Sequence, residues 1–306
     1  MNRKAVIDIG TNSVKFLLAE MGADGVLRTV MDRNNIARLG EGLRETGTIS
    51  QEAITRNAQA VAEFVAMARQ GGADQIAVVG TMALRTASNP QDFIKAVKDL
   101  AGIEVRILSG DEEAYLAYLA AVSGIVLGQG RLAIIDIGGG STEFVFGRGD
   151  KLHTRFSINL GVVGITEEFF KSNPVTKGEL ARAMEAIAEL LEANGVSGPV
   201  DQLVGMGGTV TSMGAVMHKM ETYDPDVVQG SEMSLEEINR QIDIYSSMTV
   251  EDRRKVTGLH PKRADVILAG ACILKSIVLR FGTDRLTVSD RGLRHGLMHV
   301  CFGSRA

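Results

Sequence analysis

The sequence has few of the features that mark secreted, membrane or nucleic-acid-binding proteins. Only two of its 306 residues are cysteines, Cys272 and Cys301, and they lack the paired spacing of a zinc site or a disulfide framework, so we expect two core thiols. No apolar run reaches the roughly 18 residues of a membrane helix, and the N-terminus shows no signal-peptide pattern. The net charge of -4 does not favour binding to nucleic acid or anionic membranes. We therefore predict a cytoplasmic globular protein with neither of these partners.

Apolar runs and amphipathic segments alternate along the whole chain. With 306 residues, of which 45% are hydrophobic, the chain is long enough for two domains. Three apolar runs within residues 5–35 are separated by the turn signals GTNS and GADG, which is typical of an antiparallel meander. Helices are predicted over about 50–70, from Pro90 and over about 111–123, with buried strands QIAVVG and IEVRILS between them. This alternation predicts the α/β fold class.

The second half of the sequence repeats the beginning of the first. The segment AIIDIGGGSTEFVFGR at 133–148 matches AVIDIGTNSVKFLLAE at 5–20 without insertions or deletions. Such a long period indicates a duplicated domain, because solenoid units are only a few tens of residues long. We predict one domain at 1–124 and a second at 125–306, facing each other across a cleft.

Each copy of the repeat contains a hydrophobic strand that ends in aspartate, a turn of small residues and a second strand. Small residues let main-chain N–H groups approach an anion, so each turn is a predicted phosphate cradle. Walker and dinucleotide loops differ because their glycines open a helix. The alternative for one copy is an ordinary hairpin, and two copies in register argue against it. The predicted phosphate-binding residues of the turns are Gly10, Thr11, Asn12, Ser13, Gly138, Gly139, Gly140 and Ser141.

Acidic residues at these turns predict a metal site. Asp8 and Asp136 end the repeated strands, where a single aspartate can simply cap its turn. If the internal symmetry brings both to one cleft, their carboxylates and the phosphate oxygens suit Mg²⁺. Glu143 on the following strand is predicted to point toward the same turn, and its alternative is a solvent-exposed strand residue. We therefore predict Mg²⁺ held by Asp8, Asp136 and Glu143.

Seven segments together resemble one known family. They are residues 5–20, ALRTASN, LSGDEEAYLAYLA, DIGGGSTE, GMGGTVTS, PKRADVILAGACIL and VSDRGLRHGL. Across nearly the whole chain they resemble the exopolyphosphatase and guanosine pentaphosphate phosphohydrolase family. That family belongs to the actin-like superfamily of sugar kinases and heat-shock chaperones. The resemblance implies a ribonuclease-H-like fold in each half, which agrees with the predicted meander.

The segment LSGDEEA carries the predicted catalytic residue. Ser109 and Glu112 have the spacing of a capping box, so the first glutamate is assigned to the start of a helix. Glu113 is not needed for that cap, and beside bound phosphate it can deprotonate a water that attacks phosphorus. The resemblance implies the catalytic role for the same residue. The alternative is that both acids only favour the helix dipole.

Further basic and glycine-rich positions follow from the resemblance. It implies a phosphate contact for Arg85 and other basic positions at Arg263 and Arg291, and guanidinium groups pair well with phosphate oxygens. The segment GMGGTVTS resembles a loop that approaches a nucleotide in the superfamily, and a helix-opening glycine turn is an equal alternative. The predicted contacts in that segment are Gly207, Gly208 and Thr209.

These residues predict a Mg²⁺-dependent hydrolase that removes the terminal phosphate of inorganic polyphosphate. A guanosine pentaphosphate or nucleotide hydrolase and a weakly hydrolytic alarmone or polyphosphate sensor are the alternatives. Gly164 stands where relatives often carry a basic residue, and longer relatives continue past the position of Ala306 into helical domains. Short polyphosphates are therefore the expected substrates. The sequence leaves a homodimer open.

Overall fold

The computed structural model describes residues 3–22, 27–148 and 151–302. Most of the predicted turn GADG lies outside these ranges. Within them, no helix combines the length and hydropathy that crossing a membrane requires.

The chain forms two compact units. The first contains residues 1–120 together with 293–306, and the second contains 121–292. The predicted division into 1–124 and 125–306 differs from this grouping mainly in the last helix. The predicted cleft between the two domains stays a prediction.

The first unit is built on a sheet that starts with the predicted meander. Its strands are β1 (Arg3–Ile9), β2 (Val14–Met21), β3 (Leu27–Asn35), β4 (Ala73–Gly80) and β5 (Arg106–Ile107). Strands β1 to β3 pair antiparallel, β4 pairs parallel with β1, and β5 pairs parallel with β4. The strand order is β3-β2-β1-β4-β5. The strand predicted at IEVRILS is therefore much shorter than expected, because only two of its residues pair with β4.

The longer helices of the first unit begin at capping residues or at proline. They are α1 (Leu43–Thr46), α2 (Gln51–Gln70), α3 (Met82–Thr86), α4 (Pro90–Ala101) and α5 (Gly110–Val122). The Ser50 hydroxyl accepts a hydrogen bond from the N–H of Ala53 at 3.2 Å and starts α2. Pro90 opens α4, where its missing N–H costs nothing. The three helices predicted in this half are confirmed.

The second unit repeats the meander of the first. Its strands are β6 (Arg131–Ile137), β7 (Thr142–Arg148), β8 (Lys151–Ile158), β9 (Gln202–Met206), β10 (Glu232–Ser234) and β11 (Arg285–Val288). Strands β6 to β8 pair antiparallel and β9 pairs parallel with β6, in the order β10-β11-β9-β6-β7-β8. Its helices are α6 (Val162–Phe169), α7 (Lys177–Ala193), α8 (Gly207–Met217), α9 (Pro225–Val228), α10 (Leu235–Ser247), α11 (Val250–Arg253) and α12 (Ile267–Arg280), with a 3-10 helix at Pro261–Arg263.

Each unit has its own hydrophobic core on the sheet. In the first, Phe16 of β2 stacks on Phe64 of α2 with ring centroids 5.2 Å apart. In the second, the equivalent Phe144 of β7 stacks on Phe156 of β8 at 5.5 Å. The two mixed sheets confirm the predicted α/β class with duplicated units and fit a two-domain actin-like fold.

The last helix, α13 (Leu293–Phe302), belongs to the first unit because it is anchored to that sheet. Arg294 donates from Nε and Nη2 to the carboxylate of Asp32 on β3, at 3.0 and 2.8 Å. A side chain at Gly296 would collide with the carbonyl oxygen of Leu116, so only glycine lets α13 lie this close to α5. Cys272 is buried as expected, whereas the expectation for Cys301 is wrong, since that thiol is exposed near the end of α13.

Candidate active site

The first predicted phosphate turn joins β1 to β2. The N–H of Gly10 donates to the carbonyl of Ser13 at 2.9 Å, and this bond closes the turn. The segment that follows β3 holds the turn from outside, because the N–H groups of Arg38 and Gly40 donate to the carbonyls of Asn12 and Thr11 at 3.0 and 2.9 Å. These two carbonyls are thereby satisfied by protein.

The second predicted phosphate turn, between β6 and β7, has the same internal bond. The N–H of Gly138 donates to the carbonyl of Ser141 at 2.9 Å. Here the start of α6 holds the turn, since Val162 and Val163 donate to the carbonyls of Gly138 and Gly139 at 3.2 and 2.9 Å. Any side chain at Gly161 would collide with the backbone of the turn at Gly139 and Gly140. The structure therefore contains both predicted turns, and phosphate binding at them stays a prediction.

The acidic residues beside the two turns have different neighbours. Asp8 is buried and lies opposite Lys15 in the sheet, with Nζ 3.9 Å from Oδ2. Asp136 is buried and lies opposite Glu143. The first turn therefore combines an acid with a base, whereas the second combines two acids.

Glu143 is held by two hydroxyl groups. Its Oε1 accepts hydrogen bonds from the hydroxyls of Ser141 at 2.7 Å and Ser157 at 2.8 Å. Its exposure is 5%, so the alternative of a solvent-exposed strand residue is wrong. Because Ser141 belongs to the turn, Glu143 and the turn are parts of one hydrogen-bonded arrangement.

The segment GMGGTVTS ends β9 and opens α8, so the helix-opening turn is what the structure contains. Gly207 has a φ of 90°, a backbone conformation that favours glycine. A Cβ atom on Gly207 would collide with Oδ1 of Asp136, and one on Gly208 would collide with the guanidinium of Arg263. The two glycines therefore bring an acid and an arginine to the start of one helix. Thr209, the next residue, is buried.

Arg253 is buried next to the segment that carries Arg263 in the second unit. Burial lowers the pKa of Arg263 to about 10, so the guanidinium stays charged at neutral pH. Arg253, which the sequence reading did not single out, is 1% exposed and donates to the carbonyls of Tyr245 and Ala264. It thereby anchors the chain next to Arg263. The residue type alone gives no signal for this role, because most arginines are exposed.

Arg85 and Glu113, predicted separately, contact each other. Nη1 of Arg85 donates to Oε1 of Glu113 and, at 2.8 Å, to the carbonyl of Leu108. Glu113 is 4% exposed. The predicted base and the predicted phosphate ligand therefore form one ion pair in the first unit.

The predicted capping box next to Glu113 is present. The N–H of Ser109 donates to Oε2 of Glu112 at 2.8 Å, and the N–H of Glu112 donates to the Ser109 hydroxyl at 3.2 Å. The backbone N–H of Ser109 lowers the pKa of Glu112, and this keeps the cap ionised. Glu112 therefore has a structural role, and Glu113 is the acid of the pair that meets Arg85.

Arg291 contacts the chain near residue 123. Its guanidinium donates to the carbonyl of Ser123 and lies against Gly124, where a Cβ atom would be 2.8 Å from its Nε. The structure thus gives Arg291 a contact that holds the chain near residue 123. The second unit brings Asp136, Gly207, Gly208 and Arg263 together, and Arg291 is bonded elsewhere.

Comparison with known proteins identifies a phosphatase. The chain belongs to the Ppx/GppA phosphatase family, whose pattern matches residues 17–302. A crystal structure of the Aquifex aeolicus member of this family has a TM-score of 0.81 and 35% identity, covering 97% of this chain and 96% of that chain. The predicted family and the prediction of an enzyme are confirmed.

The names of two curated relatives indicate different substrates. Exopolyphosphatase 2 of Mycobacterium tuberculosis is 31% identical, and the match covers 97% of this chain and 98% of that protein. Guanosine-5'-triphosphate,3'-diphosphate pyrophosphatase of Aliivibrio fischeri is 30% identical, and the match covers 98% of this chain but only 58% of that protein.

Proposed function

We propose that this protein is an exopolyphosphatase that releases the terminal phosphate of inorganic polyphosphate by attack of water. The observation that carries the proposal is the ion pair of the buried Glu113 with Arg85 at the start of α5. A carboxylate fixed beside an arginine suits a general base that acts next to a bound anion. The nearly full-length likeness to an exopolyphosphatase supports the choice of substrate.

In the proposed reaction Glu113 accepts a proton from water while the water oxygen bonds to the terminal phosphorus. The bridging P–O bond breaks, and the shortened polyphosphate leaves with the electron pair. Arg85 positions Glu113 through its Nη1 atom. A guanidinium has five N–H donors, so the remaining donors of Arg85 can bind phosphate oxygens. Glu112 serves as the helix cap and takes no part in proton transfer.

The remaining proposed ligands bind the phosphate chain. Backbone N–H groups at the two turns and at the start of α8 supply neutral donors, and arginine supplies positive charge. These ligands are Gly10, Thr11, Asn12, Ser13, Gly138, Gly139, Gly140, Ser141, Gly207, Gly208, Thr209 and Arg263.

Mg²⁺ is the proposed cofactor. The described residues hold no cluster of three or more His, Cys, Asp or Glu side chains suited to a metal. Mg²⁺ commonly takes one or two carboxylates together with substrate phosphate oxygens, and Asp136 with Glu143 fits that donor chemistry. Asp8 is the third proposed ligand, and Lys15 faces it. Held by these carboxylates, Mg²⁺ would supply positive charge to neutralise the phosphate oxygens.

A guanosine pentaphosphate phosphohydrolase is the second candidate function. The likeness to the Aliivibrio fischeri enzyme favours it, and the phosphoanhydride chemistry is the same. The substrates differ in the group beyond the phosphates, so direct comparison of substrates separates the candidates. The cytoplasm is the proposed location.

Phosphate release with Mg²⁺ from polyphosphates of several lengths, guanosine pentaphosphate and simple nucleotides tests the proposal. We expect the fastest release from short polyphosphate. Glu113→Gln should lower kcat about 10²- to 10⁴-fold with little change in polyphosphate binding, because the amide cannot accept the proton. Glu112→Gln is the matched control and should keep most activity. Full turnover in Glu113→Gln contradicts the proposed base, and tight binding with negligible wild-type turnover indicates a sensor.

A further inference from the structure

Arg38 has an unusual backbone conformation beside the first phosphate turn. Its φ is 52°, in the left-handed region that residues with a side chain rarely adopt. Strained residues of this kind cluster at functional sites, where surrounding contacts enforce them. A long cationic side chain at such a position therefore calls for a physical reason.

Helix α2 enforces the conformation of Arg38. Arg56 donates from Nε to the carbonyl of Ala37 at 2.6 Å and from Nη2 to the carbonyl of Arg38 at 3.1 Å. The fully buried Asn57 also donates to the carbonyl of Ala37, at 2.8 Å. These bonds fix the peptide groups on either side of the Arg38 Cα atom.

Arg38 is joined directly to the predicted phosphate turn. Its N–H donates to the carbonyl of Asn12 at 3.0 Å. Glycine could make the same backbone bond and would adopt this φ without strain. The backbone therefore does not require an arginine here.

The segment that holds the second turn from outside carries no charged side chain. Its residues are Gly161, Val162 and Val163, and Gly164 follows them. At the first turn, by contrast, an arginine stands in the segment that holds the turn. This difference points to a role for the guanidinium.

We propose that Arg38 binds phosphate oxygens of the polyphosphate chain at the turn Gly10–Ser13. The inference rests on the proposed function, because it adds a ligand to the same anion site. A guanidinium can form paired hydrogen bonds with two phosphate oxygens, which an ammonium cannot do. The enforced backbone keeps the Cα atom of Arg38 beside the turn.

Arg38→Gly separates binding from backbone strain. We expect KM for polyphosphate to rise about tenfold or more through loss of a charge-assisted pair, with kcat nearly unchanged. The melting temperature should stay the same or rise, because the left-handed strain disappears. A purely structural role for the side chain predicts the opposite pair of results, an unchanged KM and a lower melting temperature.

Lys219→Gly is the matched control. Lys219 has a φ of 50° and lies just past the far end of α8, exposed. The same change there relieves the same strain, and we expect KM to stay as in the wild type. An equal rise in KM in both variants overturns the proposal.

Two further variants keep the test decisive if Arg38→Gly folds poorly. Arg38→Met retains a long stem without charge and should show the full rise in KM, whereas Arg38→Lys should show an intermediate one. An unchanged KM in Arg38→Met overturns the role of Arg38.

A binding assay separates this inference from the proposed function. Wild-type protein that releases no phosphate from polyphosphate refutes the proposed hydrolase. Arg38 is then judged by equilibrium binding of polyphosphate to wild type and Arg38→Met. Weaker binding by the variant supports the inference, and equal binding refutes it.

Discussion

The two phosphate turns share a backbone and differ in charge. Gly10 and Gly138 each donate to the serine three residues later at 2.9 Å. Lys15 and Glu143, however, occupy the same place in the repeat, opposite Asp8 and Asp136. The duplication therefore preserved the turn geometry and changed the chemistry beside it.

This difference predicts different electrostatic surroundings at the two turns. Lys15 brings positive charge to the first turn, where it faces Asp8. Asp136 and Glu143 bring two carboxylates to the second turn, and carboxylates suit a cation.

Among changes at the two turns, the largest effect is expected from the segments that hold them. In Gly161→Ala the new methyl group would collide with the backbone of the second turn. In Gly40→Ala it would collide with Cγ2 of Thr11, which belongs to a side chain that can change its rotamer. We expect Gly161→Ala to cost about 1–3 kcal/mol of stability and, by displacing the turn, about 100-fold in kcat/KM. Denaturant unfolding and turnover measure both, and Gly40→Ala is the control. Equal losses in the two variants would contradict the proposed difference.

A smaller effect should come from the acids. Glu143→Gln removes a carboxylate from the second turn, and we expect the Mg²⁺ concentration for half-maximal turnover to rise about 10- to 100-fold. Lys15→Gln changes the equivalent residue of the first turn and should not raise that concentration, because it removes a cation that faces Asp8. The measurement is phosphate release as a function of Mg²⁺. A rise in the Lys15 variant alone would reverse the assignment of the two turns.

The smallest effect is expected from the helix caps and depends on pH. In α7, the backbone N–H of Thr176 is the main cause that lowers the pKa of Glu179 to about 2. A folded pKa below the ordinary value of 4.5 stabilises the protein above pH 4.5, and this is lost as the pH falls toward 2.

Glu179→Gln should therefore lower the melting temperature at pH 7 and have no effect near pH 2. Glu112→Gln, at the cap of α5, should show the same pH dependence with a smaller amplitude, because fewer hydrogen bonds hold that carboxylate. Melting curves over this pH range measure both. A constant difference at all pH values would exclude the ionised caps.

Local patterns were sufficient to predict much of this structure. The repeated strand, turn and strand, and the capping box of Ser109 and Glu112, depend on neighbouring residues, so their spacing is visible in the sequence. Contacts between distant residues were not visible. Arg85 meets Glu113 only because the fold brings α3 and the start of α5 together.

The backbone conformation of Arg38 could not be predicted from the sequence either. No residue type around Arg38 indicates a left-handed position, because such positions usually carry glycine or asparagine. The placement of the last helix was missed for another reason. A boundary drawn at one point in the chain cannot assign residues 293–302 to the first unit.

The anchoring of α13 on the first unit has a consequence for biosynthesis. Arg294 and Gly296, which dock that helix on β3 and α5, are translated after the whole of 121–292. Domains generally fold as units while the chain emerges from the ribosome. Here the unit that is started first is completed last, and the second unit can finish folding before it.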